Sequence, residues 1–335
     1  MRSRNVDCIV TAVTVTYGTS DTLGRTCASL ARSTREASNI AVEHVVVTQP
    51  GDAGERATVP PSACEIKVDE NLGFAAANNL AIEESTSEFI AVLNPDLELT
   101  EGWLDPLIEA LNDPVVAIAA PVLLNNHGDI DEAGQAVFSD GSSLAMGGSH
   151  WPDFPNSYAS MMFDRDVDYA SAACWVMRRS TFNELGGFST AYYPAYFEDN
   201  DFGQRAQHAG YVTRLVSARP VVHHHEGASA DRRALAERSR ATFESTWAEH
   251  LRSKPDRSLL DTDASLVRDH LCTTINIEHV TSRTIGAYAE RAAADPRNRY
   301  IAVIDENDDV PLHLLRRQHA PHGLEIRLQT PETRH

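Results

Sequence analysis

The most restrictive feature of the sequence is a regular alternation of short apolar segments and amphipathic segments up to about residue 125. Apolar runs rich in β-branched residues predict strands, and apolar residues at helical spacing predict helices. The predicted strands are 8–15, 42–47, 65–68, 89–93 and 115–123, and the helices between them include 75–84 and 103–111. Strands separated by helices indicate an α/β fold with a mainly parallel sheet covered on both faces, in which ligands bind at the carboxyl ends of the strands.

The predicted elements are less regular beyond residue 125. Residues 125–168 are rich in Gly, Ser, Asp and Pro, which predicts an irregular excursion with a hairpin. Further strands are predicted at 169–177, 212–216, 220–224 and 300–304, and further helices at 180–185, from about 199, at 230–251 and at 285–294. Because the composition shifts after residue 255, we predict one unit over residues 1–255, divided near residue 125, and a C-terminal appendage over residues 256–335.

The charge of the chain narrows the classes of ligand. Lys and Arg number 29 against 48 Asp and Glu, which gives a formal charge of −19. Nucleic-acid binding depends on clustered cations, so this balance argues against a nucleic-acid partner. If the ligand is anionic, a cation must neutralise it locally.

Three features predict where the protein is located. The longest apolar run, residues 115–124, is half as long as the roughly 20 residues that a transmembrane helix needs. The first residues lead directly into a strand pattern without a small-residue cleavage site, so they do not predict a signal peptide. The five cysteines show no Cys-x-x-Cys spacing, which favours reduced thiols. Together these features predict a cytoplasmic protein without a transmembrane segment.

The segment Asn94-Pro95-Asp96 directly follows a predicted strand. A carboxylate at the carboxyl end of a strand faces the ligand crevice, where it can hold Mg²⁺ or Mn²⁺ against phosphate oxygens. The same three residues are also an ordinary turn and helix N-cap sequence. Taken alone, they favour the turn.

The acidic run Glu198-Asp199-Asn200-Asp201 follows a segment rich in aromatic residues. Carboxylates this close repel one another unless a cation is present, which predicts a raised pKa or a metal ion nearby. Arg205 lies four residues after Asp201, and on a helix this spacing places an ion pair on one face. The alternative is an ordinary helix N-terminus, where acidic residues interact favourably with the helix dipole. The aromatic segment would bury the run and favours the first interpretation.

Three consecutive histidines, His223-His224-His225, end a strand pattern. Neighbouring residues on a strand face opposite sides, so either His223 and His225 enter one site together or His224 enters it alone. A neutral imidazole is a good metal ligand. No paired zinc-type spacing accompanies the three, and for at least one of them a histidine without a binding role is the default.

The stretch Asn71-Leu72-Gly73-Phe74 opens a predicted helix that contains small residues up to Asn78-Asn79. A glycine in such a loop allows a ligand to approach the backbone closely, beside the N–H groups of the helix start. Neither G-x-G-x-x-G nor the P-loop pattern occurs in the chain. The classical dinucleotide-binding and kinase interpretations therefore lose their main support.

Taken in order, the segments between about residues 8 and 230 resemble glycosyltransferase family 2, the inverting nucleotide-sugar transferases of GT-A fold, and especially its bacterial rhamnosyltransferase-type members. The segments are Val13-Thr14-Val15-Thr16-Tyr17, Asn71-Leu72-Gly73-Phe74 with Asn78-Asn79, Leu93-Asn94-Pro95-Asp96, Arg178-Arg179-Ser180-Thr181-Phe182 with Gly186-Gly187-Phe188, Tyr196-Phe197-Glu198-Asp199-Asn200-Asp201 with Arg205 and Gly210-Tyr211, and Val222-His223-His224-His225 up to Ser229. The resemblance implies a Rossmann-like mixed, mainly parallel sheet flanked by helices. It also implies a nucleotide-binding half over about 1–125 and an acceptor and catalytic half over about 126–255.

The resemblance also implies a role for each cluster. Asp96 would ligate the divalent cation, Mn²⁺ or Mg²⁺, that bridges the donor diphosphate, and His224 would be a further ligand or phosphate contact. Asp199 would be the general base that deprotonates the acceptor hydroxyl, while Glu198 and Asp201 shape the site. The implied donor-binding residues are Thr16, Tyr17, Gln49, Asp52, Asn71, Gly73, Asn78, Asn94, Asp96, Ser171, Ala172 and Arg205.

Two segments depart from the family pattern. In family members the second strand is followed by Asp-Asn-x-Ser. This chain lacks that sequence, and Gln49 or Asp52 is instead the candidate contact to the nucleobase. The family's Ser-Gly is Ser171-Ala172 here, which adds a methyl group where the sugar approaches. The donor therefore stays open among dTDP-, UDP- and GDP-sugars. The QxxRW motif of processive synthases is absent, which favours transfer of a single sugar.

The predicted function is metal-dependent transfer of one hexose, with a deoxyhexose such as rhamnose as a candidate, to a hydroxyl of a glycan, lipid-linked or natural-product acceptor. Two alternatives stay open: a catalytically silent nucleotide-sugar-binding scaffold on the same fold, and a nucleotidyltransferase, for which the expected Gly-rich N-terminal loop is absent. For the appendage, acceptor recognition, homo-oligomerisation and peripheral membrane contact through Arg316-Arg317 stay open.

Overall fold

The computed structural model describes residues 8–34, 40–152, 154, 156–225, 232–268, 271, 275–294, 299–304 and 324–328. The strands are β1 (Cys8–Tyr17), β2 (Ile40–Gln49), β3 (Cys64–Lys67), β4 (Phe89–Leu93), β5 (Leu97–Glu98), β6 (Val116–Leu124), β7 (Ile130–Glu132), β8 (Gln135–Val137), β9 (Ser143–Ala145), β10 (Arg165–Val167), β11 (Cys174–Arg178), β12 (Val212–His223), β13 (Ile275–His279), β14 (Arg299–Ile304) and β15 (Leu324–Leu328). The helices are α1 (Leu23–Ser33), α2 (Gly73–Glu83), α3 (Leu104–Ala110), α4 (Tyr158–Met161), α5 (Arg179–Glu184), α6 (Glu198–His208), α7 (Arg232–Leu251), α8 (Leu259–Arg268) and α9 (Ile285–Ala294), with a 3-10 helix at Thr190–Tyr192.

The large sheet has ten strands in the order β10-β12-β6-β11-β4-β1-β2-β3, with β5 paired to β12 and β7 paired to β6. Strands β3, β2, β1 and β4 form a parallel block, as the alternating pattern predicts. Strand β11 lies antiparallel between β4 and β6, with Cys174 opposite Leu93. The segment that leads into β11 therefore lies beside the carboxyl end of β4, and both reach the same edge of the sheet.

Both faces of the sheet are covered, which explains why its central strands are apolar on both sides. On one face, residues such as Val10 pack with Leu107 of α3. On the other face, Val13 and Trp175 pack with Phe202 of α6. The predicted mixed α/β sheet flanked by helices is confirmed.

Two local predictions differ from the structure. The strands predicted at 212–216 and 220–224 form one strand, β12, whose register shifts between Val216 and Val221 because Pro220 lies within it. Helix α8 was not predicted, and its Val267 packs against the cluster around Phe138 in the large unit. The division of the chain at residue 255 stays a prediction.

The C-terminal part contains a parallel sheet of β13, β14 and β15 with α9 packed on it. The helix predicted at 285–294 and the strand predicted at 300–304 are α9 and β14, whereas Arg316-Arg317 lies outside the described residues. Within the described ranges no helix is long and apolar enough to cross a membrane.

Candidate active site

A cavity of about 490 Å³ opens at the sheet edge where β4 ends and β11 and α6 begin. This is the edge at which the parallel block was expected to bind a ligand. The polar residues that line the cavity are Asn94, Asp131, Glu132, Gln135, Ser143, Tyr169, Ser171, Tyr196, Glu198, Asp199, His223 and His225. Ala172 also lines the cavity, so the predicted residues Asn94, Ser171, Ala172, Glu198 and Asp199 are brought together.

The start of α6 is set by two residues with left-handed backbone conformation, Tyr196 (φ 75°) and Phe197 (φ 72°). Residues other than glycine rarely adopt this backbone conformation, so contacts with neighbouring residues must stabilise it. The ring of Phe197 packs on Phe243 of α7 with centroids 5.4 Å apart, and Ser239 of α7 donates to the carbonyl of Ala195 at 3.0 Å. Helix α7 therefore fixes the direction in which α6 presents its first carboxylates.

Asp199 lies against the turn before β11. Its Oδ2 accepts from the backbone N–H of Ala172 at 3.3 Å, and its Oδ1 accepts from the N–H of Asn200 at 2.8 Å. Burial raises the pKa of Asp199, and these two N–H groups act in the opposite direction. The result is a carboxylate that is held in place and is more basic than an exposed aspartate.

Glu198 is buried at the wall of the same cavity, and its Oε2 has no hydrogen-bond partner among the described residues. Burial, together with the negative charge of Asp199, raises the pKa of Glu198 well above its ordinary value. A carboxyl group with a raised pKa keeps its proton to higher pH, and in its protonated form it can donate a hydrogen bond.

Asp201 and Arg205 are not among the described residues that line the cavity, and their expected catalytic and donor-binding roles stay predictions. The predicted ion pair is present, with Arg205 Nε 2.8 Å from Asp201 Oδ2. The other oxygen of Asp201 accepts from Tyr192 Oη at 3.1 Å and from Trp247 Nε1 at 3.0 Å. Asp201 thus ties α6 to its neighbours and acts on the site through the position of the helix.

Glu132 is a cavity residue that the sequence did not indicate, because it lies in the stretch predicted to be irregular. Its Oε1 accepts from the N–H of Ser171 at 2.7 Å, and its Oε2 accepts from Gln135 Nε2 at 2.6 Å. Burial raises its pKa to about 7, with the charges of Asp199 and Asp131 acting in the same direction. The only sequence signal was the adjacent acidic pair Asp131-Glu132.

A second group of ligand-type side chains lies in the cavity. His225 Nε2 is 2.6 Å from Asp131 Oδ2, and the rings of His223 and His225 are stacked with centroids 3.9 Å apart. One ligand atom from each of these three residues lies within 4.8 Å of the others. His223 Nε2 is also 3.3 Å from Asp96 Oδ1, which joins Asp96 to the group. We call Asp96, Asp131, His223 and His225 the ligand cluster.

The ligand cluster has the donors and the charge that a divalent cation requires. Asp96 Oδ1 and His223 Nδ1 are buried without a well-aligned hydrogen bond among the described residues. Burial lowers the pKa of His223, but the Asp131 and Asp96 carboxylates outweigh it and raise that pKa to about 9. Carboxylate oxygens and imidazole nitrogens suit Mn²⁺. These residues therefore fit the cation that the resemblance implies.

His224 is not part of the ligand cluster, and its expected role as a ligand or phosphate contact stays a prediction. Its Nε2 lies 3.5 Å from Glu98 Oε2, and its backbone N–H donates to the carbonyl of Asp96 at 3.0 Å. The stacked rings of His223, at the end of β12, and His225, two residues later, show that these two side chains share one side. The structure thus selects the first of the two arrangements that the alternation allowed.

The residues at the ends of β1 and β2 do not line the cavity. Thr16 Oγ1 donates to the carbonyl of Val47 at 3.5 Å, and the hydroxyl of Tyr17 donates to Asp52 Oδ1. Gln49 Oε1 accepts from the N–H of Leu72 at 2.7 Å. The side-chain oxygen of Gln49 is therefore engaged in a hydrogen bond within the protein, whereas the Tyr17–Asp52 pair is exposed at the surface.

The loop before α2 makes a close backbone contact, as the glycine predicted. Gly73 has φ 77°, and a Cβ atom there would lie 2.7 Å from the carbonyl oxygen of Pro194. Asn71 Oδ1 accepts from the N–H of Gly73 at 2.9 Å, and Asn78 Nδ2 donates to the carbonyl of Phe74 at 2.9 Å. The glycine thus allows the backbone of Pro194 to lie close to this loop, and its expected contact with the donor stays a prediction.

Comparison with known proteins decides the family. Residues 11–186, just over half of the chain, match the model of Glycosyl transferase family 2. The chain belongs to glycosyltransferase family 2. This assignment confirms the resemblance, and this family 2 protein is a glycosyltransferase.

The glycosyltransferase has relatives of similar type. N-acetylglucosaminyl-diphospho-decaprenol L-rhamnosyltransferase of Mycobacterium tuberculosis is 27% identical over 246 residues, which are 64% of this chain and 76% of that protein. Pre-mycofactocin glycosyltransferase of the same organism is 31% identical over 166 residues, which are 48% of this chain and 33% of that protein.

A solved structure supports the fold. The crystal structure of GalNAc-T7 with UDP, GalNAc and Mn²⁺ superposes with a TM-score of 0.56 and 13% identity, over 78% of this chain and 58% of that chain. At this identity the likeness concerns the fold alone. The predicted GT-A fold is confirmed for the family 2 protein.

Proposed function

We propose that this glycosyltransferase transfers a single sugar from a nucleotide-diphosphate sugar to an acceptor hydroxyl, with inversion at the anomeric carbon and with the aid of a divalent cation. One observation supports the proposal: Asp131, His223 and His225 of the ligand cluster line the same cavity as Asp199, and Asp96 contacts His223. The diphosphate bound to the cation and the general base Asp199 can then act on the same sugar, which lies between them.

The ligand cluster would hold Mn²⁺ or Mg²⁺ through Asp96, Asp131, His223 and His225. When bound, the cation supplies charge that offsets the departing diphosphate. No lysine or arginine is among the described residues that line the cavity. An acidic protein whose cavity is lined by no such residue needs the cation to bind an anionic donor.

Asp199 would be the general base. The Ala172 and Asn200 N–H groups hold its carboxylate, and its raised pKa makes it a better proton acceptor near neutral pH. It would take the proton of the acceptor hydroxyl as that oxygen forms a bond to the anomeric carbon. The bond from the anomeric carbon to the diphosphate oxygen breaks on the opposite side, and its electron pair leaves with the nucleoside diphosphate.

The exposed Tyr17–Asp52 pair is the candidate contact to the nucleobase, since Gln49 is committed to the Leu72 N–H. The rhamnosyltransferase relative supports a deoxyhexose donor and a lipid-linked acceptor for this enzyme. We assign the nucleotide to residues 1–125 and the acceptor and catalysis to residues 126–255. We also propose that the enzyme is cytoplasmic.

Turnover of nucleotide sugars tests the proposal. The enzyme is incubated with dTDP-, UDP- and GDP-sugars and a panel of acceptors, with Mn²⁺, with Mg²⁺ and with a chelator. Nucleoside diphosphate release is measured by chromatography, and the anomeric configuration of the product by NMR. We expect metal-dependent release with an inverted product. A retained configuration, full activity with chelator, or donor binding without turnover across the panel would contradict it.

A further inference from the structure

The cavity extends from Asp199 to the hairpin of β8 and β9. Gln135 of β8 and Ser143 of β9 line this part, together with Tyr169. The hydroxyl of Tyr169 donates to Ser143 Oγ at 2.9 Å, and the carbonyl of Tyr169 accepts from the Gln135 N–H at 2.8 Å. We call Gln135, Ser143 and Tyr169 the hairpin end of the cavity. Neither the family match nor the ligand cluster gives these residues a role.

The amide of Gln135 has a defined orientation. Its Nε2 donates to Glu132 Oε2 at 2.6 Å, while the other oxygen of Glu132 is occupied by the Ser171 N–H. When Glu132 is ionised it accepts from the NH₂ group and not from the carbonyl, so in that form the bond determines which way the amide points. Gln135 Oε1, to which no described residue donates, is left as an acceptor for a ligand hydroxyl.

The charge at the hairpin end excludes an anionic ligand. Glu132 and Asp199 lie beside it. Burial raises the pKa of the Tyr169 hydroxyl, and the negative charges of these two residues act in the same direction. No lysine or arginine is among the described lining residues, and the histidines belong to the ligand cluster. A phosphate or carboxylate placed here would lack a partner. An uncharged ligand with several hydroxyl groups would satisfy the polar atoms.

The stereochemistry of inversion gives this ligand its place in the reaction. The attacking hydroxyl approaches the anomeric carbon from the side opposite the departing diphosphate. With the diphosphate at the ligand cluster and the base at Asp199, the acceptor occupies the part of the cavity beyond Asp199. We assign the hairpin end to that part, because Gln135, Ser143 and Tyr169 line the cavity together with Asp199 and do not belong to the ligand cluster.

We propose that the hairpin end is the acceptor subsite, that it takes an uncharged sugar ring, and that Gln135 Oε1 accepts a hydrogen bond from one of the ring hydroxyls. The inference rests on the proposed function, because it uses inversion at Asp199. Gln135 is then a specificity-determining residue, which selects the acceptor by the position of a hydroxyl.

Direct binding of sugars tests the subsite without turnover. Saturation-transfer NMR is recorded on the full-length enzyme with Mn²⁺ and a nucleoside diphosphate, using methyl glycosides of glucose, galactose, N-acetylglucosamine and rhamnose. Methyl glucuronide is the charged probe. We expect at least one neutral glycoside to bind through its ring protons and the glucuronide to bind at least tenfold more weakly than that glycoside.

Variants locate the binding. We expect Gln135→Ala to weaken the bound glycoside about tenfold, and Ser143→Ala to weaken it less. Ser142→Ala is the matched control, because Ser142 is the neighbour of Ser143 on the hairpin and does not line the cavity. Circular dichroism confirms that each variant is folded.

The outcomes separate the subsite from the proposed function. Absence of glycoside binding, equal binding of the glucuronide, or unchanged binding in Gln135→Ala overturns the subsite, while nucleotide binding with Mn²⁺ still supports the donor site. Glycoside binding that depends on Gln135, in an enzyme to which no nucleotide binds, supports the sugar subsite and overturns the proposed function.

Discussion

Two buried carboxylates near the cavity differ in what surrounds them. Asp168 is fully buried and has Lys254 Nζ 2.6 Å from its Oδ1 and the Val137 N–H 2.8 Å from its Oδ2. Glu198 is buried to a similar extent, but its Oε2 has no described partner and no cation faces it. A buried charge that supports the fold comes with its partners. Glu198 Oε2 lacks such a partner among the described residues, and we propose that this oxygen is available to a ligand.

Helix α6 repeats this contrast within one turn. Asp201 has Arg205, Tyr192 and Trp247 as partners and lies outside the cavity. Asp199 has only backbone N–H groups and lies inside it. Similar residues two positions apart thus divide between structure and chemistry, and variants at each can separate the two roles.

The largest expected effect is that of Asp199→Asn on activity. Loss of a general base lowers the rate by about 10²–10⁴-fold. The variant should lose little melting temperature, because asparagine loses only the bond from the Asn200 N–H and retains an oxygen that accepts from the Ala172 N–H. Asp201→Asn is the matched comparison, and we expect it to lower the melting temperature more than Asp199→Asn does. The contrast fails if Asp199→Asn keeps full transfer activity.

The next prediction concerns stability. Lys254→Met should lower the free energy of unfolding by about as much as Asp199→Asn raises the activation free energy of the reaction. Removing the lysine takes the charged partner away from the buried Asp168 carboxylate, which costs about 3–5 kcal/mol of unfolding free energy. Arg233→Gln is the control, because the Arg233–Glu237 pair is exposed and worth about 0–1 kcal/mol. Urea unfolding measures both. Equal losses in the two variants would show that burial does not distinguish the two pairs.

Next in size is the effect of the histidines on the cation. Altering groups around a metal typically weakens binding about 10–100-fold, and we expect at least that loss of Mn²⁺ affinity for His223→Ala. His224→Ala should leave the affinity nearly unchanged, because His224 faces Glu98. Isothermal titration calorimetry with Mn²⁺ measures both variants. A larger loss in His224→Ala would restore the original sequence-based ligand assignment.

The smallest expected effect is a change in the pH dependence of stability. The pKa of Glu198 is raised above its ordinary value of 4.5, so the folded state binds more protons than the unfolded state above that pH. Its contribution to stability therefore falls as the pH rises above 4.5. The glutamine in Glu198→Gln cannot ionise. The melting temperature of this variant should therefore rise relative to that of the wild type as the pH increases from about 5 to about 8. A constant difference would show that Glu198 is not buried as an acid.

The sequence predicted the elements of the large sheet well and the site in part. Strands such as β4 are apolar on both faces, and that pattern depends only on local residues. The Asp201–Arg205 pair was also predictable, because its geometry is that of one helical turn.

The remainder depended on contacts between distant residues. Asp131 and Glu132 reach the cavity only because β7 pairs with β6, and nothing local signals that pairing. The choice of His223 over His224 depended on which side of β12 faces Asp96. Alternation gave two arrangements, and only the tertiary structure distinguishes them.

The central claim is that this cavity holds an anionic nucleotide sugar only together with a divalent cation. Thermal unfolding of the wild type is measured with dTDP, UDP, GDP and their sugars, each with Mn²⁺ and with a chelator. A ligand at 100 times its Kd stabilises the folded state by about 2.7 kcal/mol. The account predicts such a shift for at least one nucleotide with Mn²⁺, and its loss with chelator and in His223→Ala. An equal shift without the cation, or no shift with any nucleotide, would contradict it.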